Sequence, residues 1–136
     1  MRVRYLLDTN VLINHQRGLF NLATYLKEHG IRLDDCCISE ITWVEMLIGE
    51  RIMRHRGMRN KISSMDILSM FKVIPISNCL NMFVEEKCRL QFAGTPLENN
   101  FDLLIGCTGV VNDMIVVTDN IKDFKNIEGI RLESWS

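Results

Sequence analysis

Four carboxylates stand out because each sits in or directly after an apolar stretch. Asp8 ends the run Val3–Leu7 and opens Asp8-Thr9-Asn10, which leads into Val11-Leu12-Ile13. Glu45 is framed by Trp43-Val44 and Met46-Leu47, and Asp102 by Phe101 and Leu103-Leu104-Ile105. Asp119 follows the tight apolar run Met114–Val117. Taken singly, each is an ordinary turn or cap residue, and acids in first helical turns suit the helix dipole. Together they pose a problem. Burying a carboxylate without a partner is costly, and no Lys or Arg lies within three residues of Glu45 or Asp102. A divalent cation is the economical partner, and an all-oxygen donor set suits Mg²⁺ or Mn²⁺ better than zinc.

The elements that position these acids follow from the patterning. Val3–Leu7 reads as a buried strand. Leu19, Leu22, Ala23 and Leu26 have helical spacing, with Gly30 as a stop. Cys36–Ile38 reads as a short strand, followed by a helix from about Thr42 with Glu45 in its first turn. A helix over Ile62–Phe71 and a strand over Lys72–Ile76 come next. Ser77 is placed to cap a helix running to Phe92, which Gly94 ends. Asn99 or Asn100 is placed to cap a helix from Phe101 to about Val111. Met114–Val117 and Ile130–Leu132 read as the last strands. Such alternation predicts an α/β/α sandwich around a mostly parallel sheet. Ligands bind beyond the carboxyl ends of strands in such sheets, which is where Asp8 and Asp119 fall.

An acid pocket repels a polyanion, so cations nearby are needed before one can approach it. Arg51, Arg54, Arg56, Arg59 and Lys61, with His55 among them, form the densest basic run and follow the Glu45 helix directly. The run suits a solvated helix end or a strip that contacts the phosphates of a nucleic acid. With little aromatic interleaving, no base-stacking platform is expected; Trp43 and Trp135 are read as core. Met46, Met53, Met58, Met65 and Met70 are read as core or as a soft homodimer surface.

The chain has 136 residues, with 47% apolar and 24% charged. That is the size of one domain, taken as residues 1–136. Sixteen Lys and Arg stand against seventeen Asp and Glu, for a net charge of -1, which excludes a uniformly basic nucleic-acid binder. The five cysteines include an adjacent pair and no C-x-x-C, so a zinc knuckle or disulfide framework is not expected, and free thiols suit a reducing cytoplasm. No run is long enough to span a membrane.

The same segments resemble the PIN-domain ribonucleases, and the VapC-type toxins among them. Leu6-Leu7-Asp8-Thr9-Asn10-Val11-Leu12-Ile13 looks like the opening motif, Ile38–Gly49 the second acidic segment and Asp102–Thr108 the third. Val117-Thr118-Asp119-Asn120-Ile121-Lys122-Asp123-Phe124 and Ile127–Trp135 look like the closing segment. The resemblance implies an α/β/α sandwich and a Mg²⁺- or Mn²⁺-dependent endoribonuclease acting on RNA, with tRNA as a family-level substrate. It also implies a VapB-like antitoxin, a homodimer, and contact with operator DNA only through the antitoxin. Carried over by position, Asp8, Glu45 and Asp102 are the main acids, with Asp8 and Asp102 as direct metal ligands. Asp119 is the fourth acid by its nearness to the strand end, with Asp123 the alternative. Where the family usually has small Ala residues, this chain has Gly106-Cys107, which reads as a packing variation.

Two other readings compete. A phospho-acceptor signalling domain also carries acids at strand ends, but it expects an Asp after the middle strand, and Val73-Ile74-Pro75-Ile76-Ser77 has none. A non-catalytic PIN domain serving RNA processing or binding is expected to lose acids, and this chain keeps them.

Overall fold

The computed structural model describes residues 2–136. The strands are β1 (Tyr5–Leu7), β2 (Cys36–Ser39), β3 (Lys72–Ile74), β4 (Ile115–Val117) and β5 (Leu132–Glu133). The helices are α1 (Thr9–Gln16), α2 (Leu22–Glu28), α3 (Glu40–His55), α4 (Ser64–Leu68), α5 (Leu80–Phe92), α6 (Asn100–Val111) and α7 (Ile121–Phe124). All strand pairs are parallel, in the order β3-β2-β1-β4-β5. The strand order reverses between β1 and β4, so the crevice beyond their carboxyl ends is the topological switch point.

Alternation along the central strands makes three layers. Leu6, Cys37 and Val116 pack on one face against Leu90, Leu103, Ile105 and Phe124 from α5, α6 and α7. Their neighbours Leu7, Ile38 and Val117 face the other way, against Val11, Leu12, Leu22, Met46 and Leu68 from α1 to α4. A strand apolar on both faces is what a parallel sheet covered on two sides requires. The fold is thus the α/β/α sandwich expected from the sequence.

Several local expectations need correction. Helix α1 was hidden in the sequence behind the polar triplet Asp8-Thr9-Asn10; Asp8 is its N-cap and accepts a bond from the Thr9 amide. Helix α2 starts at Leu22, later than its apolar spacing suggests, because Asn21 Oδ1 accepts the Thr24 amide at 3.0 Å. Ser77 caps nothing. Residues Ser77–Cys79 form a 3-10 turn and α5 starts at Leu80. A strand end there is tied instead by Glu40, whose Oε1 accepts the Ile76 amide at 2.9 Å. Asn99 does cap α6, accepting the amides of Phe101 and Asp102.

Helix α6 lies close to its neighbours because it lacks side chains at two points. A Cβ on Gly109 would stand 2.3 Å from Val116 Cγ2, and one on Gly106 would stand 2.4 Å from Ile127 Cδ1. The Ile127 methyl is the far end of a flexible side chain and can turn aside, so Gly109, against the short side chain of Val116, is the firmer packing requirement. The close approach holds the first turn of α6, and Asp102 with it, near the ends of β1 and β4.

Candidate active site

Asp8 and Thr118 meet because the register pairs Leu7 with Val117, placing the next residue of each strand side by side. The Asp8 amide donates to Val117 O at 2.9 Å. Thr118 Oγ1 donates to Asp8 Oδ2 at 2.8 Å, and the Thr9 amide donates to Asp8 Oδ1 at 2.8 Å. Asp8 is only 3% exposed. Glu45 is brought in by a second link. The Thr9 hydroxyl donates to Glu45 Oε1 at 2.7 Å, and its oxygen lies 3.0 Å from Thr42 Oγ1. A hydroxyl has one proton, so Thr42 is the donor in the second contact. Because α3 starts at Glu40, Glu45 sits in its second turn rather than its first, with Thr42 three residues earlier on the same face.

Electrostatics unite Asp8, Glu45 and Asp102. Burial pushes Asp8 up to about 6 despite the bonds from Thr118 and Thr9, and the charges of Asp102 and Glu45 add to the rise. Burial likewise pushes Asp102 up to about 6, with Glu45 and Asp123 adding to it. Glu86 provides the contrast. It is also buried, but Arg89 Nε and Nη2 bind it at 2.6 and 2.8 Å and the Glu128 amide at 3.1 Å, so its pKa falls below the usual carboxylate range. A buried acid with a protein cation goes down, and Asp8 and Asp102, which have none, go up.

Asp119 and Asp123 divide the fourth position. Asp119 is held on the rim, accepting from Asn14 Nδ2 at 3.0 Å and from the Ser136 hydroxyl. Asp123, on α7, is the acid whose charge acts on Asp102. A cleft of about 440 Å³ opens beside them, between the Thr95–Asn99 loop and α7, with Asp102, Lys122 and Asp123 among its walls. Asn10 joins none of the acids; its Oδ1 is buried without a partner.

Among the described residues, no three His, Cys, Asp or Glu side chains are gathered closely enough to hold a metal by themselves. The acids form an open set, not a closed cage. Their chemistry nevertheless fits a hard cation. The donors are oxygens only, they lack a protein cation, and Mg²⁺ keeps several waters and takes only one or two carboxylates. The donor set would not suit zinc.

The basic residues are spread out. Arg54 is turned back on α3, with Nη2 3.4 Å from Glu50 Oε2. Arg51 and Arg56 are exposed at the end of α3, while Arg59 and Lys61 line a groove shared with Arg17. Arg17 and Thr42 were not anticipated. Thr42 was legible from its three-residue spacing to Glu45; Arg17 was not, because α1 itself was missed. Trp135 is core, stacked on Tyr25 at 4.8 Å, and Met46 is buried, whereas Met58, Met65 and Met70 are exposed.

A five-stranded parallel sheet with acids around its switch point defines a PIN-type α/β sandwich. No family model matches the chain. Individual proteins do. It is 30% identical to Ribonuclease VapC2 of Rickettsia felis over 137 residues, covering 96% of this chain and 97% of that one. It is 28% identical to the tRNA(fMet)-specific endonuclease VapC of Salmonella typhimurium, covering 98% of each. Among solved structures, the DNA-bound VapBC from Salmonella typhimurium superposes with a TM-score of 0.78 at 23% identity, over 99% of this chain and 100% of that one. VapBC2 from Rickettsia felis, bound to a promoter DNA fragment, gives 0.78 at 25% identity, over 98% and 100%. The chain belongs to the VapC family of ribonucleases.

Proposed function

We propose that this protein is a Mg²⁺- or Mn²⁺-dependent endoribonuclease, the toxin of a toxin-antitoxin pair with a VapB-like antitoxin. The observation that carries the reading is the pair Asp8 and Asp102. Both are pushed up to about 6 by burial and by neighbouring carboxylates, with no protein cation to offset them. When bound, a divalent cation lowers the pKa of water and neutralises charge on a phosphate oxygen.

The protein's own contribution is positioning. Thr118 and the Thr9 amide fix both oxygens of Asp8. Thr9 and Thr42 fix Glu45, which is placed to orient an attacking water. Asn99 caps the helix turn that presents Asp102. Asp123 takes the fourth acidic position and Asp119 lies on the rim. Hydrolysis by water, breaking the P–O3′ bond, leaves a 5′-phosphate and a 3′-hydroxyl.

The name of the Salmonella relative makes tRNA the first substrate to try. Neighbours solved as VapBC complexes on DNA support an antitoxin partner, with operator DNA reached through the complex. Val44, Ile48 and Ile52 form an exposed apolar stripe along α3 that suits a homodimer. No helix of the described residues is long and apolar enough to cross a membrane. The test is RNA cleavage by purified protein with Mg²⁺, with Mn²⁺ and with EDTA. Cleavage is expected with either metal and is lost in EDTA and in Asp8→Asn. Equal cleavage by Asp8→Asn refutes the assignment.

A further inference from the structure

An acid pocket repels the strand it has to cut, so the molecule needs cations somewhere along the path of that strand. A groove of about 510 Å³ lies at the far end of α1 from Asp8, lined by His15, Arg17, Arg59, Asn60 and Lys61, with no acid among its walls. It is assembled from two distant parts of the chain. Gly18, in the left-handed region at φ 76°, turns the chain after α1. Gln16 Nε2 then ties the helix end across to Ile62 O at 3.0 Å and Ser64 Oγ at 3.1 Å. His15 is committed on one side, since its Nδ1 accepts the Leu22 amide at 3.1 Å. A neutral His15 therefore carries its proton on Nε2.

Arg17, Arg59 and Lys61 enter none of the ion pairs of the described residues. Three cations sharing one concave wall without an acid repel each other, and an anionic ligand relieves that repulsion. Phosphates suit the groove better than an acidic protein segment does. Among the walls only Ile62 is a large aliphatic residue, so a protein segment would bury little apolar surface there.

We propose that this groove binds the phosphates of the RNA strand a few nucleotides from the bond that is cut, with Arg17 and Arg59 as its principal cations. The spacing follows from the helix. The eight residues of α1 span about 12 Å at ~1.5 Å each, or roughly three to four stacked nucleotides at ~3.4 Å. The proposal rests on the ribonuclease reading for its substrate class but has a readout of its own.

The experiment measures binding of labelled single-stranded RNA by fluorescence anisotropy. Oligonucleotides run from roughly three to twelve nucleotides, on the Asp8→Asn background so that nothing is cut. Arg17→Ala and Arg59→Ala should each weaken binding of the longer RNAs by about tenfold. Each should also make the log–log salt slope less negative by about 0.7. Oligonucleotides shorter than about four nucleotides should not distinguish the variants, and Arg17→Lys should recover most of the loss. In the cleaving protein the same changes should raise KM and leave kcat within about twofold. Both arginines are exposed, and thermal melts check that the variants are folded. If wild type cuts no RNA but the length-dependent binding loss is seen, the ribonuclease reading fails and the groove stands. If both variants bind every length as the parent does, the groove proposal is overturned. It is equally overturned if they lose only the antitoxin, because the surface then serves a protein partner.

Discussion

Replacing Asp102 by Asn should stabilise the metal-free protein at neutral pH while abolishing its response to metal. The Asp102 carboxyl is pushed from 3.8 to about 6 by burial, then Glu45, then Asp123, and nothing in its surroundings pulls it back down. A folded-state value above the unfolded one means that the folded protein holds the proton more tightly. Its contribution to stability is therefore present below about pH 4 and lost as pH rises through about 6. A shift of some two units corresponds to about 3 kcal/mol at pH 7. Asp102 is partly exposed, and its charge also favours the dipole of α6 by ~0.3–1 kcal/mol, so the expected net gain is about 1–2 kcal/mol. For a chain of this length that is a rise of roughly 3–10 °C in Tm. Thermal melts in EDTA at pH 7.5 and pH 4.5 read it directly. The variant should melt higher than wild type at pH 7.5, and the gap should narrow markedly at pH 4.5. Mg²⁺ at about a hundred times its Kd should then stabilise wild type by ~2.7 kcal/mol and the variant much less. If Asp102 serves only its helix, Asn is neutral or destabilising, the gap does not change with pH, and Mg²⁺ acts on both proteins alike; that result would refute the acid-pocket reasoning.

Other outcomes follow from the same geometry. Cleavage rate should fall steeply as pH drops below about 6, because Asp8 and Asp102 must both lose protons to bind metal; a pH–rate profile flat from 5 to 8 argues against them as ligands. Thr118→Val removes the hydroxyl that holds Asp8 Oδ2 and should weaken metal binding by about tenfold or more, measured by titration calorimetry. Gly109→Ala puts a methyl 2.3 Å from Val116 Cγ2, and this overpacking should cost about 1–3 kcal/mol in denaturant melts.

The layers of the fold were legible because the strands are apolar on both faces and the acids fall just beyond them. What the sequence concealed was mostly short or polar. Helix α1 begins with Asp8-Thr9-Asn10, a string of residues that suits a turn as well as a helix start, and only the cap geometry decides. Helix α7, just Ile121–Phe124, is too short for any period to show. Ser77 carries the right side chain for a cap but leads into a 3-10 turn, and its capping role was assigned on residue type alone. Within the site, Asp8, Glu45 and Asp102 could be picked out by their apolar frames. The Thr9–Thr42 link could not, because it joins two helices 33 residues apart in sequence.

Asp119 and Asp123 are the two candidates for the fourth acid, and the structure places them differently. Asp119 is the closer to β4 along the chain, yet its two oxygens are engaged by Asn14 and Ser136 at the rim. Asp123 lies four residues further on, and the single turn of α7 carries it back toward Asp102. Sequence distance from the strand measures how soon a residue leaves the sheet, not which way the next turn points it. The overall charge of -1 conceals a similar separation. Asp8, with Glu45 and Asp102 acting on it, lies at the start of α1, and Arg17, Arg59 and Lys61 line the groove at its end. Opposite charges held apart by a rigid helix cannot neutralise each other across a screening length of ~8–10 Å. The ligands proposed above, a cation at one end and a polyanion at the other, would supply the missing counter-charges.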